Sequence, residues 1–333
     1  MTTLNQWIIS QTHLESDQKI QLANLFGGLE VACQIISDAI SRAAIDHRLG
    51  STGQKNVQDE VVQKLDSYAD QAFIDALKST GQVCLLVSEE NTNAEIIEES
   101  SAGQYIVAYD PLDGSSNIDA NVSIGSIFGI WPKKSTGKKA DLTDILRSGR
   151  DMIAAGYTLY SSSTMFVVSL GHGVAGFTLD RLNNEFILTH PDLKIPPKGH
   201  IYSINEGNSA FWDISTSQYV TSLKHKINCS PYSLRYIGSM VSDVHRTLLY
   251  GGIFMYPADS KSVQGKLRYL YEVAPISFII EQAGGQSIDS LQNSLDKVAK
   301  NLYERVPVFL GSVEDVTDLK TFFLGQTTKI VTK

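Results

Sequence analysis

The chain has 333 residues, 42% hydrophobic and 19% charged, with a net charge of −8. That length suits two domains or one large α/β unit with a sizeable core, and the acidic balance argues against a nucleic-acid binder, which would carry a basic stripe. Cys33, Cys84 and Cys229 form no C-x-x-C pair, which points to a reducing compartment and not to a disulfide framework or a zinc site. The N-terminal "MTTLNQWIISQTHLESDQK" lacks a basic start and a long apolar core; no membrane-spanning window is read, and a cytoplasmic protein with no membrane partner is expected.

From Asp17 to Ala44, Leu22, Leu25, Leu29, Ala32, Ile36 and Ile40 recur at helical steps, predicting one long amphipathic helix. Gly27-Gly28 inside it weakens the helix unless a packed neighbour comes close. "IDHRLGSTGQKNVQ" reads as a mobile loop, and a second helix is expected from Asp59 to Lys78 with Val62, Leu65, Ala69, Phe73 and Leu77 inward. "VCLLVSEE" and "YIVAYD" are short continuous apolar runs, the pattern of strands buried on both faces. Residues 123–188 are strand-rich with short turns, as in an antiparallel meander. "HPDLKIPPKGH" reads as a crossing between two halves, with a boundary near residue 190. Beyond it, "HIYSIN", "IFMY" and "VPVFLGS" read as strands. "SMVSDVHRTLLYGG", "YEVAPISFIIEQAGG" and "VEDVTDLKTFFL" read as helices, the first two glycine-capped.

The acids carry the chemistry. Asp110 and Asp113 bracket a turn at a strand end, where α/β proteins bind ligands. With the Leu112 carbonyl they offer oxygens that suit a hard cation such as Mg²⁺. Gly114-Ser115-Ser116 would open a short helix, whose first N–H groups attract phosphate. Glu89 and Glu90 end the neighbouring apolar run; beside a second acid-ended strand they become metal-ligand candidates, because such ends repel unless cations separate them. Asp66 shares a helix face with apolar residues, and is either paired with a cation or a boundary acid reaching solvent. Glu60 falls in the first helical turn, where an acid suits the helix dipole. Glu272 opens an apolar helix, and Lys266 and Arg268 are surface charges or partners of a sugar phosphate.

"NVQDEVVQKLD", "LVSEE", "DPLDGSSNID", "NEGN", "RYIGSMVSDVHRTLLYGGIFMYPAD" and "GKLRYLYEVAPISFIIEQAGG", in this order, resemble class I fructose-1,6-bisphosphatase, and the resemblance runs from about residue 20 to the C-terminus. The inositol monophosphatase relatives share DPLDG[ST] but carry Trp-Asp where this chain has Tyr271-Glu272. The resemblance implies a layered α-β-α-β-α sugar phosphatase fold of the α/β class. An N-terminal half (1–190) would carry regulatory helices and the metal-site acids, and a C-terminal half (191–333) the sugar-phosphate contacts. It implies two to three Mg²⁺ or Mn²⁺ held by Glu89, Glu90, Asp110, the Leu112 carbonyl, Asp113 and Glu272. Glu60, Asp66 and Glu90 would position or deprotonate the attacking water. Gly114, Ser115 and Ser116, next to Asp113, would hold the 1-phosphate. Asn205, Tyr236 and Tyr256 would hold the 6-phosphate, and Lys266 would bridge sugar and phosphate. Arg235 would reach a neighbouring subunit's 6-phosphate in a homotetramer.

The chain departs from the family pattern where AMP binds. The Thr-Gly-Glu of inhibited members corresponds to "SDQKIQL" here, an expected lysine is Gln104, and an expected arginine is Pro132. Weak or absent AMP inhibition is therefore implied, and no cysteine-bearing insertion of the chloroplast type is present. Activity on sedoheptulose 1,7-bisphosphate, alone or alongside the fructose ester, stays open as an alternative. A non-enzymatic regulatory paralogue is the second, disfavoured because every metal-site acid is kept.

Overall fold

The computed structural model describes residues 1–55, 61–98, 101–136, 139–225 and 230–331. The chain opens with helices α1 (Leu4–Ser10) and α2 (Ser16–Ser41), a hairpin of β1 (Ser51–Lys55) and β2 (Val61–Gln63), and helix α3 (Lys64–Ser79). Strands β3 (Val83–Ser88), β4 (Glu95–Ile96), β5 (Tyr105–Asp113), β6 (Ile124–Pro132), β7 (Ala154–Tyr160), β8 (Thr164–Ser169), β9 (Ala175–Asp180) and β10 (Glu185–His190) follow. They form one sheet in the order β10-β9-β8-β7-β6-β5-β3-β4. From β5 to β10 it is the expected antiparallel meander. Among the described strands of this sheet only the pair β3 and β5, next to the β4 edge, runs parallel, which places both of their carboxyl ends on the same side.

The proline-bearing stretch 190–200 leads to the second half. It contains β11 (Ile201–Ser203), α4 (Ile214–Lys224), β12 (Ser233–Leu234), α5 (Met240–Tyr250), β13 (Ile253–Tyr256), β14 (Leu267–Arg268) and α6 (Ala274–Gln282). Then come β15 (Gln286–Ile288), β16 (Arg305–Val306), β17 (Val308–Gly311) and α7 (Val313–Val331). The second sheet runs β12-β11-β13-β17-β15, with β12, β11 and β13 mutually parallel. Again three carboxyl ends share an edge.

Hydrophobic alternation stacks these elements into layers. One core joins α1, α2 and α3 to a face of the large sheet, through Leu29, Phe73, Tyr109 and Phe128. A second lies between the sheets around α5 and α6, through Trp131, Val244, Ile276 and Phe254. A third packs α4 and α7 on the outer face of the second sheet, through Tyr219, Phe309 and Leu319. The order is α-β-α-β-α, as expected.

Gly28 has the reason the sequence demanded. A Cβ there would lie 2.6 Å from Thr80 Cγ2 and 3.0 Å from the Ala76 carbonyl oxygen of α3, whereas Gly27 meets nothing within 4 Å. By length and composition alone α2 could cross a membrane, contrary to expectation, but its apolar face is spent on the first core.

Three local expectations are corrected. The stretch read as a loop over residues 45–58 carries strand β1. The second helix begins at Lys64, not Asp59, so Val62 belongs to a strand and not to the inner helix face. Adjacent β-branched Val61 and Val62 favour extended backbone, and Gln63 with Asp66 forms the helix cap instead. Helix α4 gave little signal in the sequence, having a weak apolar stripe behind an Asp213 cap.

Candidate active site

The two aspartates of β5 depend on an irregularity. Residues three apart on a regular strand point to opposite faces. The β5–β6 register is regular from Tyr105↔Pro132 to Asp110↔Ile127, then shifts to Asp113↔Gly125. Pro111 and Leu112 thus stand opposite the single residue Ser126, which is a β-bulge. The side chains record the reset. Tyr105, Val107, Tyr109 and Leu112 all belong to the core beneath α2 and α3, while Ile106 and Ala108 face the core between the sheets. Asp110 and Asp113 therefore share a face. The strand does not end at Asp110, as its sequence suggested, but continues through Asp113. Pro111 fits the bulge because it has no N–H to lose from the ladder.

Glu272 meets them from the second half. It lies in a wide π-helical turn, Tyr269–Val273, that leads into α6, a deformation found at functional sites. Asp110, Asp113 and Glu272 each offer an oxygen within 4.8 Å of the others, and all three are buried. Burial first, then Glu89, Asp113 and Glu272, hold the Asp110 carboxyl well above its usual range. Burial likewise raises Glu272 well above the ordinary value, against the opposing pull of Arg268. Asp113 is pushed by burial to about 6, partly offset by the Val241 N–H, which donates to its Oδ2 at 3.1 Å. An all-oxygen, anionic, preorganised set of this kind suits a hard divalent cation.

Arg268 was read as a surface charge or a phosphate partner; it is neither exposed nor turned to solvent. It is buried, with Nη2 2.8 Å from Glu89 Oε1 and Nη1 3.8 Å from Glu272 Oε2, and its backbone N–H also donates to Glu272. One buried cation thus faces Glu89, Asp110, Asp113 and Glu272, all of which line the same cavity. The remaining negative charge calls for protons or metal ions.

The other strand end is equally built. Asp70 of α3 accepts from Ser88 Oγ at 2.5 Å, Tyr109 Oη at 3.0 Å and Asn91 Nδ2 at 2.8 Å. This pins the exit of β3 to that of β5 and sets where Glu89 and Glu90 stand. Asp66 is 3% exposed, so it is no boundary acid reaching solvent. Its Oδ2 accepts the Gln63 N–H at 2.7 Å while the residue lines the cavity. Glu60 lies outside the described residues.

The cavity measures about 520 Å³ and reaches from these acids to the second sheet. Asp66, Glu89, Glu90, Asp110, Leu112, Asp113, Gly114, Ser115, Ser116 and Glu272 line the acid end, and Lys266 lines the cavity as well. Gly114 takes φ 78° at the head of a 3₁₀ turn, Ser115–Ala120, a conformation that disfavours side chains, and a Cβ there would lie 3.1 Å from Ser239 Cβ. Asn205 follows β11, Tyr236 follows β12, and Tyr256 ends β13. The parallel ends of the second sheet thus supply the far wall. Arg235 is exposed and is not part of this lining.

Two charged lining residues escaped the sequence reading of the site, Arg268 in its buried role and Asp243. Asp243 is fully buried on α5; it accepts from the Ile237 and Gly238 N–H groups at 3.0 Å and pairs with Arg246 Nη2 at 2.7 Å. It holds the turn that carries Tyr236. The signal was present, an acid beside Met240 and Val244 on an apolar helix face, as for Asp66.

Acids gathered at the shared strand edge of one sheet, facing polar strand ends of another, define a layered α/β protein built for cation-assisted chemistry on an anionic ligand. Comparison with known proteins makes this specific. The family model "Fructose-1-6-bisphosphatase, N-terminal domain" matches residues 2–191, and "Fructose-1-6-bisphosphatase, C-terminal domain" matches residues 195–323. The cytosolic fructose-1,6-bisphosphatases of Beta vulgaris and Spinacia oleracea are each 49% identical over 327 residues, covering 98% of this chain and 96% of theirs. Leishmania major fructose-1,6-bisphosphatase in holo form superposes with a TM-score of 0.91 at 43% identity, covering 96% of this chain and 98% of that one. Its apo form gives 0.86. The chain belongs to the fructose-1,6-bisphosphatase family.

Proposed function

We propose that this chain is a cytosolic, metal-dependent fructose-1,6-bisphosphatase, hydrolysing the 1-phosphate ester to give fructose 6-phosphate and phosphate. One observation carries the reading. Buried Asp110, Asp113 and Glu272 bring oxygens within 4.8 Å at one end of a cavity whose far wall is Asn205, Tyr236 and Tyr256. The two ends match a substrate with phosphates at both termini. Glu89, Glu90, Asp110, the Leu112 carbonyl, Asp113 and Glu272 would hold two to three divalent cations, Mg²⁺ or Mn²⁺. When bound, such cations neutralise the transferring phosphoryl group and acidify the attacking water.

The chain's own groups do the rest. Gly114, Ser115 and Ser116 orient the 1-phosphate with backbone and hydroxyl donors. Asn205, Tyr236 and Tyr256 grip the 6-phosphate, Lys266 bridges sugar and phosphate, and the ester is thereby held in line. Glu90 and Asp66, with Glu60, orient the attacking water and take its proton. Arg235, exposed beside this wall, serves the 6-phosphate of a neighbouring copy in a homotetramer. Val31, Ile35 and Tyr68, exposed on α2 and α3, give such an assembly apolar surface to bury. The functional halves are 1–190, with the acids, and 191–333, with most sugar contacts. AMP inhibition is weak or absent, since Gln104 and Pro132 supply no cation.

Phosphate release from fructose 1,6-bisphosphate, with and without Mg²⁺, tests the reading. Metal-dependent turnover is expected, with kcat/KM above that for sedoheptulose 1,7-bisphosphate. No metal-dependent release from either sugar would overturn it.

A further inference from the structure

Behind the acids, on the opposite face of the large sheet, runs a line of buried hydroxyls. Ser126 Oγ lies 2.7 Å from the Pro111 carbonyl oxygen and 2.8 Å from Tyr160 Oη. Tyr160 is in turn the neighbour of Cys33 of α2, whose Sγ receives the Thr158 hydroxyl at 3.1 Å. Cys33, Ser126 and Thr158 are wholly buried and Tyr160 is 5% exposed.

The direction of each bond follows from the last one. A carbonyl oxygen only accepts, so Ser126 spends its one proton on Pro111. Tyr160 must then donate its proton to Ser126. Every hydroxyl in the line has one role, and no member can turn without orphaning another.

The end point is what matters. Pro111 and Leu112 are the extra length of β5 set against Ser126 alone. That bulge is the reason Asp113 faces the same side as Asp110. A return to regular register would turn Asp113 to the other face. Pro111 has no N–H, so its carbonyl is the peptide group through which its own backbone can be tied down.

We propose that Ser126 and Tyr160 are positioning residues for the divalent-cation site, locking the Pro111–Leu112 bulge so that Asp110, the Leu112 carbonyl and Asp113 stay in ligating posture. The inference rests on the cation-binding reading above and adds to it the machinery that holds the ligands. It also places α2 in contact with the back of the site through Cys33.

The test measures Mn²⁺ binding by titration calorimetry, with no substrate, on the full chain in its native assembly. Ser126→Ala, Tyr160→Phe and Ser37→Ala are compared with the wild type. Ser37 is the control, because its buried hydroxyl bonds Thr164 at 2.7 Å on the same helix layer, outside the line. Ser126→Ala is expected to weaken Mn²⁺ binding and raise the activating Mg²⁺ concentration by about tenfold, as for lost supports of metal ligands. KM for the sugar ester should stay within about twofold. Tyr160→Phe should move both metal readouts the same way by about threefold, and decides the matter if Ser126→Ala does not fold. Ser37→Ala should lower Tm alone. The proposal is overturned if the folded variants bind Mn²⁺ as the wild type does, or if Ser37→Ala weakens binding as much as Ser126→Ala. Failure of the wild type itself to bind Mn²⁺ would instead sink the cation-site reading on which it rests.

Discussion

The two ends of the cavity are held by opposite means. At the acid end, Asp110, Asp113, Glu89 and Glu272 are buried beside one buried arginine, so the metal-free fold stores repulsion there. At the far end, Asn205 is exposed and Tyr236 and Tyr256 are half-buried, neutral, and seated on ordinary strand ends. The first end trades stability for chemistry; the second contributes recognition without strain. Substitutions should therefore divide cleanly between the two.

The largest effect belongs to Asp110→Asn. Phosphate release should fall by about a thousandfold or more, while the metal-free Tm rises, because one charge of a repelling group has gone. A variant with wild-type turnover would break the division. Arg268→Gln comes next. It leaves Glu89 and Glu272 without their buried cation, and the metal-free protein should lose about 3–5 kcal/mol in urea unfolding. Mg²⁺ should recover much of that loss.

At the other end, Tyr256→Phe should raise KM by up to about tenfold with kcat nearly unchanged, the mark of lost ground-state binding. A fall in kcat alone would mean that the two ends are not separate in function.

The acid end should also have its own pH signature. Asp113 rises from 3.8 in an unfolded chain to about 6 in the fold, and burial raises Asp110 and Glu272 well above their ordinary values too. Above the unfolded value the native state binds more protons, so stability falls as pH increases. Metal-free protein should therefore become more stable on acidification from pH 7 toward about 5. Saturating Mg²⁺, which takes the protons' place, should flatten that slope in a thermal-shift series. The smallest effect is a null one: AMP at micromolar concentration should leave turnover unchanged in a steady-state assay.

The same contrast explains what the sequence made legible. Acids at the ends of uninterrupted apolar runs stand out because burial of charge is unfavourable without a partner. Asp110, Asp113, Glu89 and Asp66 could be singled out on that ground, and the long α2 helix and the meander by their periodicities. Asn205, Tyr236 and Tyr256 break no such rule, and only the family resemblance pointed to them. The bulge at Pro111–Leu112 was invisible because register is set by the partner strand, not by β5 itself. Arg268 was misjudged because two polar neighbours in sequence, Lys266 and Arg268, were given one environment. The structure leaves the lysine exposed and buries the arginine. The β1–β2 hairpin was lost because β1 is short and polar and Val62 of β2 also fits the period of the helix that follows.

The layer between the two sheets has a practical consequence. Trp131 and Tyr157 of the large sheet and Val244, Phe278 and Ile279 of α5 and α6 form a single continuous core, although the family models part between residues 191 and 195. Severing the polypeptide at that seam would strip each fragment of the surface that keeps the other dry. Expressed separately, the fragments should precipitate or cling to chaperones, and co-expression should restore a soluble, nicked enzyme.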